Sequence, residues 1–167
     1  MTASKNRRYW LMKTEPSCFS IDDLKAAPGG VTAWDGVRNY QARNLLRDEI
    51  KTGDGVLFYH SNIKEPAIVG IAEAVASGAP DETALDPHAE HYDPRAGPDN
   101  PIWYKVDVAF RAELKKPLTR DMLRMHPDLA DMDVLKKGNR LSVQPVTEKQ
   151  WRAVVKIAGL KDPLTSV

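Results

Sequence analysis

The chain is short of several things, and each shortage excludes a class of protein. It has a single cysteine, Cys18, among 167 residues, so no internal disulfide can staple it. That matches a reducing compartment, and a cytoplasmic location is expected. No apolar run approaches the roughly 20 residues that a membrane helix needs. The start, Met1 to Arg8, is basic, but no apolar stretch follows it, so no secretory signal is expected. Charge of one sign is also missing: 24 Lys and Arg face 23 Asp and Glu, a formal net charge of +1. Long-range attraction to a phosphate backbone is therefore weak, and any nucleic-acid contact must come from local basic clusters. Glycine-rich phosphate loops are absent, since Pro28-Gly29-Gly30 lacks the lysine and the spacing. His88 and His91 stand three apart, but no cysteine accompanies them, and neither a metal nor a cofactor is expected.

What remains is an ordinary globular composition, with 42% hydrophobic and 28% charged residues, long enough to bury a core without staples. One domain over 8–160 is expected, with an extended or disordered stretch 1–7 and a short tail 161–167. A monomer is expected.

Periodicity gives the elements. Tyr9 to Lys13 reads as a first strand, stopped by Glu15-Pro16. Ser20 to Asp23 has the form of a capping box that opens a helix near 20–27. Ala42, Leu45, Leu46 and Ile50 repeat at helical spacing, which predicts a helix over 40–51 capped by Asn39. Val56 to His60 and Ala67 to Val75 read as strands, and Gly70 in the second implies close approach of a neighbour. Residues 77–101 carry Pro80, Pro87, Pro94, Pro98 and Pro101 and read as one long loop. Trp103 to Phe110 alternates as a strand. Thr119 opens a helix near 119–126. Leu141 to Gln144 alternates again, and Thr147 to Gln150 is a second capping box for a helix over 147–158. Alternating strands with short helices between them favour an α+β chain with a mixed sheet. A small barrel with peripheral helices fits best, although pattern alone does not choose it over other α+β topologies.

Two readings of the polar and aromatic residues stay open at this level. Trp34-Asp35-Gly36-Val37-Arg38-Asn39 precedes a helix. Trp34 is either a flat face on which a base stacks, partly open to solvent, or a plug in the core, and Asp35 and Asn39 either touch a ligand or cap backbone. His60 could meet a base edge with Tyr59 and Ser61, or be satisfied by backbone. Ser142 and Gln144 share a strand face that reads an edge or faces solvent. Tyr92 and Trp103 either wall a pocket or pack under the loop. Arg38, Arg43, Lys136, Lys137 and Arg140 are the candidates for phosphate contact. Trp10 and Trp151 are assigned to the core, and Cys18 to a structural role.

Four stretches resemble the EVE domain family: Trp10 to Pro16, Trp34 to Asn44, Phe58 to Ser61 with Val69-Gly70-Ile71, and Arg140 to Val146. Tyr92-Asp93-Pro94 and Trp103 fit the same pattern. The resemblance implies a PUA-like fold related to YTH domains, which hold a methylated adenine in an aromatic cage. It also implies recognition of a modified base, notably a modified cytosine, in DNA or RNA, without catalysis. The pocket it implies lies near Trp34, His60-Ser61, the proline-rich loop and Ser142 to Gln144. The alternative is a small hydrolase of a modified nucleobase or nucleotide, with Asp35 or His60 as general base.

Overall fold

The computed structural model describes residues 7–164. Of the expected end segments, residues 1–6 and 165–167 lie outside that range. Six strands form one sheet in the order β2-β5-β4-β3-β1-β6. They are β1 (Tyr9–Thr14), β2 (Val31–Trp34), β3 (Gly55–His60), β4 (Ala67–Pro80), β5 (Tyr104–Thr119) and β6 (Val143–Val146). β1 and β3 run parallel and the other neighbours are antiparallel, so the sheet is mixed. The expected α+β class holds, but the ladder does not close into a barrel: β2 and β6 remain its edges.

The sheet is buried on both faces, and strand alternation explains how. Trp10, Met12, Val56 and Phe58 point to one face, where they meet Trp34, Ala42, Leu46 and Ile50. Leu11, Leu57 and Tyr59 point to the other, against Leu123, Met132, Trp151 and Val154. Helix α1 (Ile21–Ala26) and α2 (Tyr40–Asn44) cover the first face, while α3 (Arg120–Met125) and α4 (Glu148–Ile157) cover the second. Both capping boxes form, at Ser20 with Asp23 and at Thr147 with Gln150.

Four departures from the sequence reading matter. α2 ends at Asn44, and a wider π turn carries the chain over Leu45–Glu49. β2 has no signature of its own, yet it pairs with β5 and delivers Trp34. β5 continues past Phe110 to Thr119 because a bulge absorbs Lys115, Lys116 and Pro117: Gly70 faces Glu113, while Ile68 already faces Leu118. A proline tolerates a strand where no ladder donor is required. Lastly, β4 takes the first part of the supposed loop, up to Pro80. Gly70 does sit under a close neighbour, since a Cβ there would come within 2.5 Å of the Ile21 side chain.

Candidate nucleic-acid interface

The parallel strands β1 and β3 end side by side at Thr14 and His60. A cleft of about 960 Å³ opens beyond them. Its floor and first wall are Trp34, Asp35, Gly36, Val37 and Arg38, with His91 over them. The opposite side is built by Lys13, Tyr59, Arg120 and the turn from Lys136 to Ser142.

Trp34 serves two functions at once. The ring is only 8% exposed and packs edge-on against Phe58, 5.5 Å between centroids. Its remaining surface faces the cleft. Of the two readings the sequence left open for Trp34, the core plug describes most of the ring, and only a small part of it is open to the cleft. Gly36 turns the chain at φ 74°, and a Cβ there would stand 2.8 Å from the His91 ring. The imidazole therefore lies directly on the glycine, and His91 becomes part of the cleft rim.

The proline-rich segment is not a loose loop. Two buried carboxylates organise it. Asp81, 0% exposed, accepts hydrogen bonds from Gly36 N (2.8 Å), Arg38 Nη1 (2.9 Å), Thr83 N (2.9 Å) and Thr83 Oγ1 (2.6 Å). Burial pushes its carboxyl up, but these bonds together outweigh burial and hold it below the usual carboxylate range. Asp93 accepts from Arg95 and from Trp103 Nε1 (2.7 Å), and those bonds hold it well below that range.

Arg38 joins this segment to the Trp34 turn. Its Nε and Nη2 donate to the His91 carbonyl, Nη1 to Asp81 and the Val37 carbonyl, and Nη2 also to Thr83 Oγ1. A guanidinium has five N–H donors, and these five bonds use all of them. Arg38 is thus a clamp with no donor left for a phosphate. Arg43 is similarly engaged, with the Ile102 carbonyl and Asn44. Arg38 therefore does not match the phosphate-contact expectation, and Arg43 does not line the cleft.

Trp103 and Tyr92 do not wall the large cleft. Trp103 is 3% exposed, stacked on Tyr40 (4.9 Å) with the Arg38 guanidinium 5.2 Å from its centroid. Tyr92 is exposed and flanks a separate shallow groove with Tyr40 and Arg95. Asn39 is an N-cap: its side chain accepts from Ala42 N at 2.9 Å, and it does not line the cleft. His60 points elsewhere too, accepting from Ile21 N at 3.1 Å through Nε2, and burial lowers its pKa. Gln144 is 1% exposed and donates to the Leu141 carbonyl (2.8 Å) and Asn139 Oδ1 (3.2 Å), so it shapes the 139–142 turn from behind. β6 begins only at Val143, and Ser142 stands at the cleft.

Of the expected site residues, the structure brings together Trp34, Asp35, Tyr59, Ser61, Ser142, Lys136, Lys137 and Arg140 with Arg38. Burial, and then the Asp81 charge, raises the Asp35 carboxyl. Burial pushes the Tyr59 hydroxyl up to about 12. Sequence reasoning missed Lys13, Glu15, Asn62, His91, Arg120 and Asn139, and it left Cys18, which is exposed and lines the cleft, without a place there. Lys13 and Glu15 sat inside the first family-like stretch and could have been singled out as polar residues at a strand end. Arg120 had no local signal, because only the β5 bulge carries α3 to the cleft.

The comparisons follow from this geometry. The EVE domain model matches residues 8–157. The chain belongs to the EVE domain family. Thymocyte nuclear protein 1 from Homo sapiens is 42% identical over 89% of this chain and 73% of its own length. The Danio rerio protein of the same name is 42% identical over 93% and 73%. Among solved structures, human thymocyte nuclear protein 1 in complex with 5-methylcytosine-containing DNA is similar at a TM-score of 0.83 and 40% identity, covering 92% of this chain and 99% of that one. A Pseudomonas syringae protein gives 0.83 and 44%, covering 90% and 99%. A Zygosaccharomyces rouxii YTH domain bound to N6-methyladenosine RNA gives 0.53 at 15% identity, a likeness of fold alone. Together these relatives make the architecture a PUA-like α+β fold, here with an open sheet.

Proposed function

We propose that this chain is a non-catalytic reader that takes a modified base of DNA, 5-methylcytosine foremost, into the cleft between the Trp34 turn and the Lys136–Ser142 turn. The observation that carries the reading is the 40% identical human structure holding 5-methylcytosine-containing DNA, combined with a cleft of matching chemistry here. Trp34 and Val37 supply the apolar wall. Asp35 is an acceptor suited to the exocyclic amine of cytosine, and Ser61 and Ser142 can both donate and accept. A base enters from an unpaired site or by extrusion, which costs a few kcal/mol, and stacking on an aromatic wall returns about 1–3 kcal/mol.

Electrostatics supports a polyanion. The cleft is lined by Lys13, Arg38, Arg120, Lys136, Lys137 and Arg140 against Glu15 and Asp35. Lys136 is tied to Asp133 at 2.7 Å and Arg38 to Asp81. A local excess of positive charge thus sits on a nearly neutral chain. A shallow salt dependence follows, with a slope of log affinity against log salt of about 2–4 in magnitude. A magnitude near 8 would mean a far wider phosphate footprint.

The hydrolase reading loses one of its two candidate bases, because the His60 Nε2 lone pair already accepts from Ile21 N. The test is a binding screen of matched oligonucleotides with and without the modification, followed by recovery of the ligand. A reader returns it unchanged. A released base or nucleotide would turn the assignment to hydrolysis at Asp35.

A further inference from the structure

Two cations in the cleft are placed where proteins rarely leave them. Lys13 ends β1, paired in register with Tyr59 of β3, and is half-buried. Burial lowers its pKa, and the Arg120 charge lowers it further. The Arg120 guanidinium also acts on the Tyr59 hydroxyl. So Lys13, Arg120 and the buried Tyr59 form one cluster on the sheet face away from Trp34. Among the described residues neither Lys13 nor Arg120 has a carboxylate within ion-pair distance, unlike Arg38, Arg95, Arg111 and Lys136. Arg120 Nε is buried and has no hydrogen-bond partner among the described residues. An unpartnered buried donor on a charged group costs folding free energy, and two like charges drawn together add to that cost. Lys137 and Arg140, which also line the cleft, have no carboxylate partner among the described residues either.

We infer that Lys13 and Arg120 hold a phosphate of the bound nucleic acid, one of the two linkages flanking the base in the cleft, with the outer nitrogens of the Arg120 guanidinium and Lys13 Nζ donating to its oxygens. The inference rests on the reading that the cleft takes a base. An Arg–phosphate contact is short and charge-assisted, and a phosphate would supply the negative charge that Arg120 lacks and relieve the repulsion between the two cations. This site differs from the Lys136–Arg140 turn, whose Lys136, Lys137 and Arg140 are exposed. Its role is to fix the depth and orientation of the nucleotide, since a phosphate contact carries no sequence information itself.

A thermodynamic cycle tests it. Oligonucleotides carrying the modified base receive a neutral methylphosphonate at the linkage 5′ or, separately, 3′ to that base. Each is titrated against the wild type and Lys13→Met. At one of the two linkages, losing the charge should weaken binding to the wild type by about tenfold and have almost no further effect on Lys13→Met. The preference for modified over unmodified base should stay intact in that variant, so failure of base recognition would show separately. Strictly additive losses at both linkages overturn the phosphate site while leaving the reader assignment standing. The Arg120 Nε–H resonance, followed while inorganic phosphate is added to the wild-type protein, gives a reading that needs no variant. It should move, and a resonance unmoved at saturating phosphate would count against the site.

Discussion

Both walls of the cleft carry arginine, yet they use it in opposite ways. On the Trp34 side Arg38 and the carboxylates behind it are consumed internally, and Asp35 is left for the ligand. Arg38 makes four of its five hydrogen bonds to the 81–91 segment and the fifth to the Val37 carbonyl, Asp81 accepts four hydrogen bonds, and Asp93 is closed by Arg95 and Trp103. On the Lys13–Arg140 side Lys13, Arg120, Lys137 and Arg140 have no acidic partner among the described residues. The first wall is thus a preformed shape and the second a field. A reader needs both: rigidity where a base must fit, and unspent positive charge where the backbone must be held.

The comparison can be broken most severely at Asp81. Asp81→Ala removes a buried acceptor shared by the partly buried Arg38 and Gly36 N, and should cost about 3 kcal/mol of stability in denaturant unfolding. A loss below about 1 kcal/mol would mean that the wall does not depend on its carboxylate. Trp34→Ala should cost about 3 kcal/mol or more, because the ring is in the core, and should also weaken binding by the folded fraction. Trp151→Ala, equally buried but behind the sheet, should destabilise without changing base preference.

On the other wall the expected pattern reverses. Lys137→Ala and Arg140→Ala should shift stability by no more than about 0.5 kcal/mol, while each lowers the salt slope by about 0.9 for a duplex. If either unfolds the protein, the wall is structural.

The smallest effect sharpens the account of His60. Burial depresses its pKa in the folded protein below the ordinary 6.5. Between that depressed value and 6.5 the unfolded chain binds more protons, so stability is lost as pH falls through this window. Unfolding midpoints at pH 7 and pH 5 should differ more in the wild type than in His60→Gln, which retains an acceptor for Ile21 N. An equal difference would remove His60 from the acid sensitivity.

Helix starts were plain in the sequence because a capping box is local chemistry: Ser20, Asn39, Thr119 and Thr147 all cap as their side chains predict. The strands with clean alternation were equally plain. β2 was not, since four residues ending in Trp34 gain their ladder only from β5. The proline-rich segment read as irregular because its order comes from Asp81 and Asp93, whose partners lie up to 45 residues away. The same limit explains the site. Trp34, Asp35, Ser61 and Ser142 sit in recognisable stretches, whereas Arg120 reaches the cleft through a bulge that no local pattern announces. Arg38 looked like a phosphate ligand because a charge in a sequence does not show what has already used its donors.

The central claim, that this cleft selects a modified base, is tested most directly by titrating the wild-type protein with two duplexes that differ by a single 5-methyl group on one cytosine, and repeating the pair with Trp34→Phe. The account predicts tighter binding of the methylated duplex, by about tenfold for one methyl against an apolar wall, and a reduced preference in Trp34→Phe with an unchanged salt slope. Equal affinity for the two duplexes, or a preference that Trp34→Phe leaves untouched, would contradict it.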